Sequence, residues 1–229
     1  MRSTSTRTNW AGNITYGART LHEPRSIDEL QDVVRSARRI RPLGSGHTFN
    51  EIADTDADQI SLARLPRRFD LDTVDRTVTV DGGQRYGDLG AHLDEAGFAL
   101  HNLASLAHIS IAGATATGTH GSGSRNGMLA TAIEALEVVT ADGELRTVDR
   151  DDPDFPAAAT SLGALGVVTA LTLRTEPTYQ VAQHVYEDLP IADALQHMDQ
   201  ILGAAHSVSL FTEWREPVID QVWVKRRVD

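Results

Sequence analysis

Apolar residues recur at intervals of three and four over positions 27–37, and this spacing predicts a helix with one apolar face. Ser26, with Glu29 three residues later, has the pattern of a capping box, so we expect the helix to begin after Ser26. Short strands are predicted at 40–43 and 59–63, separated by a turn at Gly44-Ser45-Gly46 and an acidic loop.

From about residue 66 the pattern becomes mixed, with alternating apolar residues in some segments and helical spacing in others. Strands are predicted at 68–71, 77–81 and 167–174, helices at 86–96 and 155–162, and a hairpin over 133–148 with Asp142-Gly143 in its turn. Residues 98–127 have neither period. Because strands and helices do not alternate strictly, the fold class predicted is α+β, not doubly wound.

The composition changes after Pro177. Strands are predicted at 181–187, 207–214 and 221–228, with an amphipathic helix over 191–202. We interpret this stretch as the beginning of a second domain that is cut short.

The overall charge limits the classes of partner. The formal net charge is −11, from 32 acidic and 21 basic residues, which argues against nucleic acid or an anionic membrane as a partner. The absence of cysteine excludes disulfides, thiolate metal ligands and a cysteine nucleophile, and it fits a cytoplasmic protein. The N-terminus lacks the apolar region of a secretory signal, and no apolar run is long enough for a membrane span.

Two glycine-rich stretches are candidates for ligand binding. Arg41–Asn50 reads R-P-L-G-S-G-H-T-F-N, and a turn of this kind brings backbone N–H groups together into an anion site with an imidazole beside it. Ser110–Gly123 interleaves glycines with hydroxyl residues, which suits either a phosphate-bearing cofactor or a tightly packed core crossing.

Several common sites are disfavoured. The stretch at Gly118 lacks the lysine of a Walker A loop, the glycines 82, 83 and 87 have the wrong spacing for a Rossmann fingerprint, and no G-x-S-x-G hydrolase elbow occurs. Three histidines, His101, His108 and His120, lie close in sequence, but no metal-binding spacing or nearby carboxylate supports a metal site. We therefore predict no metal.

The order of five motifs resembles flavoproteins of the vanillyl-alcohol oxidase superfamily, whose FAD-binding domain is of the p-cresol methylhydroxylase (PCMH) type. Within it, the chain looks most like the bacterial alditol (xylitol) oxidases. The motifs are N-W-A-G-N at Asn9–Asn13, G-S-G-H-T-F-N at Gly44–Asn50, N-L-A-S-L-A-H-I-S at Asn102–Ser110, A-G-A-T-A-T-G-T-H-G-S-G at Ala112–Gly123 and S-L-G-A-L-G-V-V-T at Ser161–Thr169.

The resemblance implies an FAD-binding domain over 12–177, with subdomains of about 12–65 and 66–177, followed by an incomplete substrate-binding cap at 178–229. It implies that two loops and one further residue hold the cofactor. These cofactor residues are Pro42, Leu43, Gly44, Ser45, Gly46, His47, Thr48, Ser110, Gly113, Thr117, Gly118, Thr119, His120 and Val168.

His47 matches the histidine that is joined covalently to the flavin 8α-methyl carbon in this family, and a neutral imidazole is a competent nucleophile for that reaction. The alternative is that His47 only hydrogen-bonds a noncovalent FAD. Ser105 matches a serine that lies near both flavin and substrate in this family, so the resemblance implies that it is a catalytic residue, as is Ala104, and also a cofactor-binding residue. Ala104 matches a small residue that leaves room for dioxygen.

The implied reaction is oxidation of a polyol such as xylitol or sorbitol, with hydride transfer to flavin N5 and reduction of dioxygen to hydrogen peroxide. The polyol and dioxygen are the expected partners, and no obligate protein partner is evident. Residues that bind the polyol in the family lie later in the cap, so we expect residues 1–229 to bind FAD without competent polyol turnover. The alternatives are a sugar-1,4-lactone (aldonolactone) oxidase of the same superfamily and a noncatalytic flavin-binding protein.

Overall fold

A computed structural model describes residues 7–228. The strands, numbered along the chain, are β1 (Thr20–His22), β2 (Ile40–Pro42), β3 (Asp58–Ile60), β4 (Phe69–Asp72), β5 (Thr77–Asp81), β6 (Phe98–Ala99), β7 (Ile133–Val139), β8 (Leu145–Asp149), β9 (Val167–Arg174), β10 (Glu176–Pro177), β11 (Gln180–Pro190), β12 (Ser207–Phe211) and β13 (Val218–Val228). The α-helices are α1 (Ile27–Ser36), α2 (Tyr86–Glu95), α3 (Ile111–Ala116), α4 (Phe155–Ala159), α5 (Ile191–Gln196) and α6 (Met198–Gly203), and short 3₁₀ helices cover Glu51–Ala53 and Leu129–Ala132.

The N-terminal strands form a small parallel sheet in the order β1-β3-β2. Helix α1 packs on it through Leu30 and Val34, which are both buried. The side chain of Ser26 accepts a hydrogen bond from the Glu29 N–H, so the predicted cap is present. The same apolar cluster includes Val139 and Val167 from the next sheet, and the two sheets therefore share part of one core.

The second sheet has five antiparallel strands in the order β4-β5-β9-β7-β8. Its buried face and the helices α2, α3 and α4 enclose the largest apolar cluster of the described chain. The pairing of β7 with β9 shifts register between Glu137 and Val138, close to the bend at Gly166.

The third sheet is antiparallel, in the order β11-β13-β12, and it has its own apolar cluster with α5 and α6. Arg227 at the end of β13 reaches back to the earlier part of the chain. Its guanidinium lies 2.7 Å from the Glu176 carboxylate and 3.7 Å from the centre of the Tyr179 ring.

The α+β fold class is confirmed, and several local predictions needed correction. The single helix predicted over 191–202 is two helices that break at His197, where φ is −117°. The apolar face is divided because α5 packs against β11 and β13 whereas α6 packs against β12. The aperiodic region 98–127 contains β6 and α3, which depend on distant partners. No helix within residues 7–228 is both long and apolar enough to cross a bilayer.

Candidate functional site

A cavity of about 760 Å³ lies between the parallel sheet and the five-stranded sheet. Three backbone stretches line most of it: the loop 41–50 after β2, the segment 109–119 around α3, and the bend 162–168 before β9. The volume lies within the range of roughly 300–1,000 Å³ that is usual for small-molecule and cofactor sites.

Ser110 joins the two glycine-rich stretches. The Ser45 N–H donates to Ser110 Oγ at 3.2 Å, and the Ser110 N–H donates to Ser45 Oγ at 3.2 Å. A Cβ at Gly44 would collide with Ser110 Oγ, and a Cβ at Gly113 would lie 2.7 Å from it. A side chain at either position would require the Ser110 hydroxyl to move away from the Ser45 N–H, and glycine avoids this.

The segment that carries Ser110 is held by the residues before α2. The Ile111 N–H donates to the Gln84 carbonyl at 2.8 Å, and the Tyr86 N–H donates to the Ile109 carbonyl at 3.1 Å. The end of β5 and the start of α2 thus fix Ser110 opposite the first loop.

The loop presents backbone donors that the protein leaves unused. Within residues 7–228 the N–H groups of Gly44, Gly46, His47 and Thr48 have no hydrogen-bond acceptor. Gly46 has φ +69°, in the left-handed region that glycine adopts without strain. Consecutive N–H groups in such a turn form a concave anion site.

The charged side chains at the cavity are mostly basic. Arg41, Arg67 and Arg85 line it, against one carboxylate, Asp88, although the whole chain carries a net charge of −11. Arg67 also donates to the buried Asp81 carboxylate at 3.1 Å. A diphosphate group fits this set of donors, since guanidinium groups and free N–H groups both bind phosphate oxygens.

The N-terminal segment Asn9–Asn13 holds the loop 41–50 in place through hydrogen bonds to its carbonyl groups. The Trp10 N–H donates to the Gly46 carbonyl at 2.8 Å, and the Asn9 side-chain amide donates to the Thr48 carbonyl at 3.0 Å. Asn13 makes a similar contact to the Phe49 carbonyl at 3.2 Å. The motif was visible in the sequence, but its contact with the loop was not predicted.

His47 lines the cavity between two other rings. The Trp10 ring stacks on it with centroids 4.3 Å apart and planes 24° apart. His108 lies on another side, with 2.5 Å between the two Nε2 atoms. Burial lowers the pKa of His47, and the charge of His108 lowers that pKa further. In the sequence His108 was considered only as a metal ligand, because nothing local connects it to residue 47.

Most of the residues predicted to hold a cofactor border this one cavity. Those that line it are Pro42, Leu43, Gly44, Ser45, Gly46, His47, Thr48, Ser110, Gly113, Thr117, Thr119 and Val168. Those that do not are Ser105, Gly118 and His120, and Ala104, which was predicted to leave room for dioxygen, does not line it either. Ser105 is exposed and Ala104 is half-buried, next to Leu106, which does line the cavity.

A second glycine pair was missed. Gly82 and Gly83 line the cavity at the end of β5, and a Cβ on either would collide with a carbonyl oxygen, that of Val168 or of Leu62. The sequence does show two adjacent glycines directly after a predicted strand, which could have indicated a close backbone approach. They were compared only with the spacing of a Rossmann fingerprint. Within the described residues, no group of three or more His, Asp or Glu side chains is placed to hold a metal ion.

Comparison with known families agrees with this geometry. The sequence model described as FAD binding domain matches residues 18–149, more than half of the chain. The protein therefore belongs to this family of FAD-binding proteins.

Two curated relatives extend the comparison. The chain is 51% identical over 225 residues to the alditol oxidase of a Streptomyces species, a match that covers 97% of this chain and 54% of that protein. It is 38% identical over 207 residues to L-gulono-1,4-lactone dehydrogenase of Mycobacterium tuberculosis, covering 89% of this chain and 48% of that protein. The chain thus spans about half the length of the relatives it matches.

A solved structure shows the same fold. The cholesterol oxidase from B. sterolicum superposes with a TM-score of 0.81 at 17% identity, over 97% of this chain and 47% of that chain. At this identity the similarity concerns the fold alone.

Proposed function

We propose that this protein acts as an FAD-dependent alditol oxidase, which oxidises a primary alcohol of a polyol such as xylitol or sorbitol and reduces dioxygen to hydrogen peroxide. The observation that carries the proposal is the cavity, lined by glycines and arginines, between the loop 41–50 and the segment 109–119. Identity of 51% to a Streptomyces alditol oxidase supports the choice of substrate class.

The domain division follows from the same proposal. Residues 12–177 would form the FAD-binding domain, with subdomains of about 12–65 and 66–177, and residues 178–229 would belong to a substrate-binding domain. The separate apolar cluster of β11–β13 with α5 and α6 supports the boundary near 178.

The chain's own residues would bind and orient the cofactor. The unpaired N–H groups of Gly44, Gly46, His47 and Thr48 would hold diphosphate oxygens. The guanidinium groups of Arg41 and Arg85 would add positive charge. Thr117, Thr119 and the backbone at Val168 would contact the opposite side of the bound FAD. Gly118 and His120 would support the segment that carries the two threonines. FAD, when bound, supplies the acceptor for the substrate hydride.

Two residues near the cavity are proposed to act on the substrate side. Ser105 would contact the flavin and the polyol, and its exposed position leaves its hydroxyl accessible. The small side chain of Ala104 would leave room for dioxygen.

We further propose that FAD is joined covalently to His47. A neutral imidazole is required for this reaction, and the lowered pKa of His47 favours the neutral form near pH 7. The test is to denature the purified protein in acid and measure flavin absorbance in the protein pellet. His47→Ala should abolish retention, whereas His92→Ala, an exposed residue on α2, should retain the flavin. A colourless wild-type protein would contradict FAD binding itself.

The second candidate is oxidation of a sugar-1,4-lactone, which the 38% identity to L-gulono-1,4-lactone dehydrogenase favours. Peroxide production measured with xylitol, sorbitol and sugar lactones separates the two. Lactone turnover without alditol turnover would reverse the assignment. Residues 1–229 by themselves are expected to be yellow and inactive on both substrates, so only a longer protein that carries the whole substrate-binding domain and is still inactive on both would indicate a noncatalytic flavin-binding protein. A cytoplasmic location and the absence of a nucleic-acid or obligate protein partner stay predictions.

A further inference from the structure

Beyond the cavity, the second glycine-rich stretch continues into contact with the third sheet. The Ser122 hydroxyl is hydrogen-bonded to the Ser207 hydroxyl, and the Asn126 side-chain amide donates to the His206 carbonyl at 3.0 Å. A Cβ at Gly123 would collide with that same carbonyl oxygen, and Gly123 has φ +109°. Glycine therefore allows the stretch to lie directly against the sheet.

The other half of this interface is built around Arg227 on β13. Its guanidinium pairs with the Glu176 carboxylate at 2.7 Å, lies 3.7 Å from the centre of the Tyr179 ring and donates to the His101 carbonyl at 3.1 Å. Together with the contacts of residues 122–126, these interactions form what we call the junction between the third sheet and the earlier part of the chain.

Hydrogen bonds and charges hold the junction, and apolar burial contributes little to it. Among the described residues, the apolar clusters of the first two sheets extend no further along the chain than Leu173. The cluster of the third sheet begins at Leu189 and includes α5 and α6. Each side therefore has its own core, and a polar interface of this kind can open without unfolding either side.

Two half-buried histidines lie in the junction, one on each side of it. His101 Nε2 is 3.4 Å from Thr131 Oγ1, and the carbonyl of the same residue accepts from Arg227. The His206 ring lies against the Tyr179 ring, with centroids 6.0 Å apart and planes at 67°. An imidazole ordinarily takes up a proton near pH 6.5, so acid would place a new positive charge on each side.

The charges that face these two rings are mostly positive. Glu176 already pairs with Arg227, and Arg174 contacts the carboxylate of Glu134, which it shares with Arg150. Three guanidinium groups thus face the two imidazoles, against one carboxylate. The charged side chains that face one or both histidines are Arg125, Arg174, Arg227 and Glu176.

These surroundings oppose protonation while the junction is closed. Burial lowers the pKa of both His101 and His206, and the charge of Arg227 lowers each pKa further, whereas Glu176 acts in the opposite direction. Burial raises the pKa of Tyr179, so its phenol stays neutral. An open junction returns both imidazoles to water, where they bind protons more strongly than in the closed form. The contribution of the two neutral rings to closure is therefore complete above about pH 6.5 and is lost as the pH falls through the lowered pKa values.

We propose that the junction is a proton-sensitive hinge, in which the uptake of protons by His101 and His206 releases the third sheet while both sides stay folded. The segment that lines the cavity at 109–119 runs directly into the junction at 122–126, so opening frees one end of a cavity wall. The inference does not depend on FAD, and it goes beyond the proposed function by assigning a response to pH.

The experiment measures the distance between the two sides of the junction. Because the chain has no cysteine, a spin label can be attached at two chosen positions. Thr73→Cys lies in the turn between β4 and β5, Glu216→Cys lies in the loop between β12 and β13, and both positions are exposed. Pulsed electron paramagnetic resonance should give one narrow distance distribution at pH 7.5 and a broader one, shifted to longer distances, at pH 5.5.

Variants of the labelled protein separate the two histidines from other groups that take up protons. His101→Gln combined with His206→Gln should keep the narrow distribution at both pH values, because glutamine is polar but takes up no proton. His184→Gln, at an exposed position on β11, is the control and should broaden at pH 5.5 as the wild type does. Glu176→Gln removes the carboxylate that faces both rings, and its distribution should already be broader at pH 7.5.

Three results would overturn the hinge. The first is a wild-type distribution that is the same at both pH values, and the second is equal broadening in the wild type and the double histidine variant. The third is broadening accompanied by loss of the far-ultraviolet circular dichroism signal, which would show that the whole protein unfolds. None of these results involves flavin, so the proposed function would stand in each case.

Discussion

At Gly44 and Gly113, the missing side chains make room for another part of the protein. The sequence left two interpretations of the stretch that holds Gly113 open, namely a cofactor contact and a tight crossing of segments, whereas at Gly44 it predicted a turn that binds an anion. The Ser110 hydroxyl fills the space beside both glycines, while the N–H groups of Gly44, Gly46, His47 and Thr48 have no acceptor among residues 7–228. Sequence alone could not separate the interpretations, because the two segments that meet at Gly44 and Ser110 lie 66 positions apart in the chain.

Gly44→Ala should destabilise the protein by about 1–3 kcal/mol, the usual cost of overpacking, because its Cβ would collide with Ser110 Oγ. Gly90→Ala is the matched control, since Gly90 lies within α2 and a Cβ there meets nothing within 4 Å. It should stabilise the protein by about 0.5–1 kcal/mol. Urea unfolding of both variants tests the pair, and equal effects would show that the space at Gly44 is not limiting.

Three histidines should make stability depend on pH. Burial is the main cause that lowers the pKa of His47, His101 and His206 in the folded protein below the ordinary value of 6.5. The unfolded chain then binds more protons as the pH falls, so their stabilising contribution is complete above about pH 6.5 and is lost as the pH falls through the folded pKa values.

The free energy of unfolding, measured in urea between pH 7.5 and 5.5, should therefore decrease towards the acid end. The double variant His101→Gln, His206→Gln should show a smaller decrease, because two of the three groups no longer take up protons. An unchanged slope in that variant would contradict the assignment.

Among the elements, α1, β5 and β9 were predicted well because their patterns are local. The bounds of β5 and β9 are those expected from alternation, and the cap of α1 is formed as the Ser26 pattern indicated. β6 and β10 were not predicted, since each has only two residues and exists through pairing with the other. Turns and helix caps could be predicted from the local sequence, whereas contacts between distant segments could not.

Ser26→Ala should cost about 1 kcal/mol, because the Glu29 N–H would lose its acceptor at the start of α1. The Glu29 carboxylate also accepts from the Arg25 N–H at 2.7 Å, so this end of the helix depends on both side chains. Ser36→Ala, at the exposed last residue of α1, is the control and should change stability little. Urea unfolding measures both variants, and equal losses would show that the cap contributes nothing specific.

On the scale of the whole molecule, Arg227 connects the third sheet to the rest of the chain. Its guanidinium contacts Glu176 and Tyr179 and donates to the His101 carbonyl at 3.1 Å. An exposed ion pair contributes roughly 0–1 kcal/mol and a cation–π contact about 0.5–1 kcal/mol, so the connection is modest.

Arg227→Ala should therefore increase amide hydrogen exchange in β13 and its neighbours more than in the five-stranded sheet. Arg226→Ala removes an adjacent exposed arginine without these contacts and serves as the control. Uniform exchange changes across the three larger sheets would mean that Arg227 acts on global stability and not on this connection.

The stack of Trp10 on His47 gives the protein an intrinsic optical probe. Of its three tryptophans, Trp214 and Trp223 belong to the third sheet and its loop, whereas Trp10 lies against the imidazole at the cavity. A flavin arriving beside that imidazole would quench the emission of Trp10 far more than that of the other two. The loss of tryptophan fluorescence on adding flavin would thus come mainly from Trp10 and would report when the cavity fills, without any label and before any substrate is added.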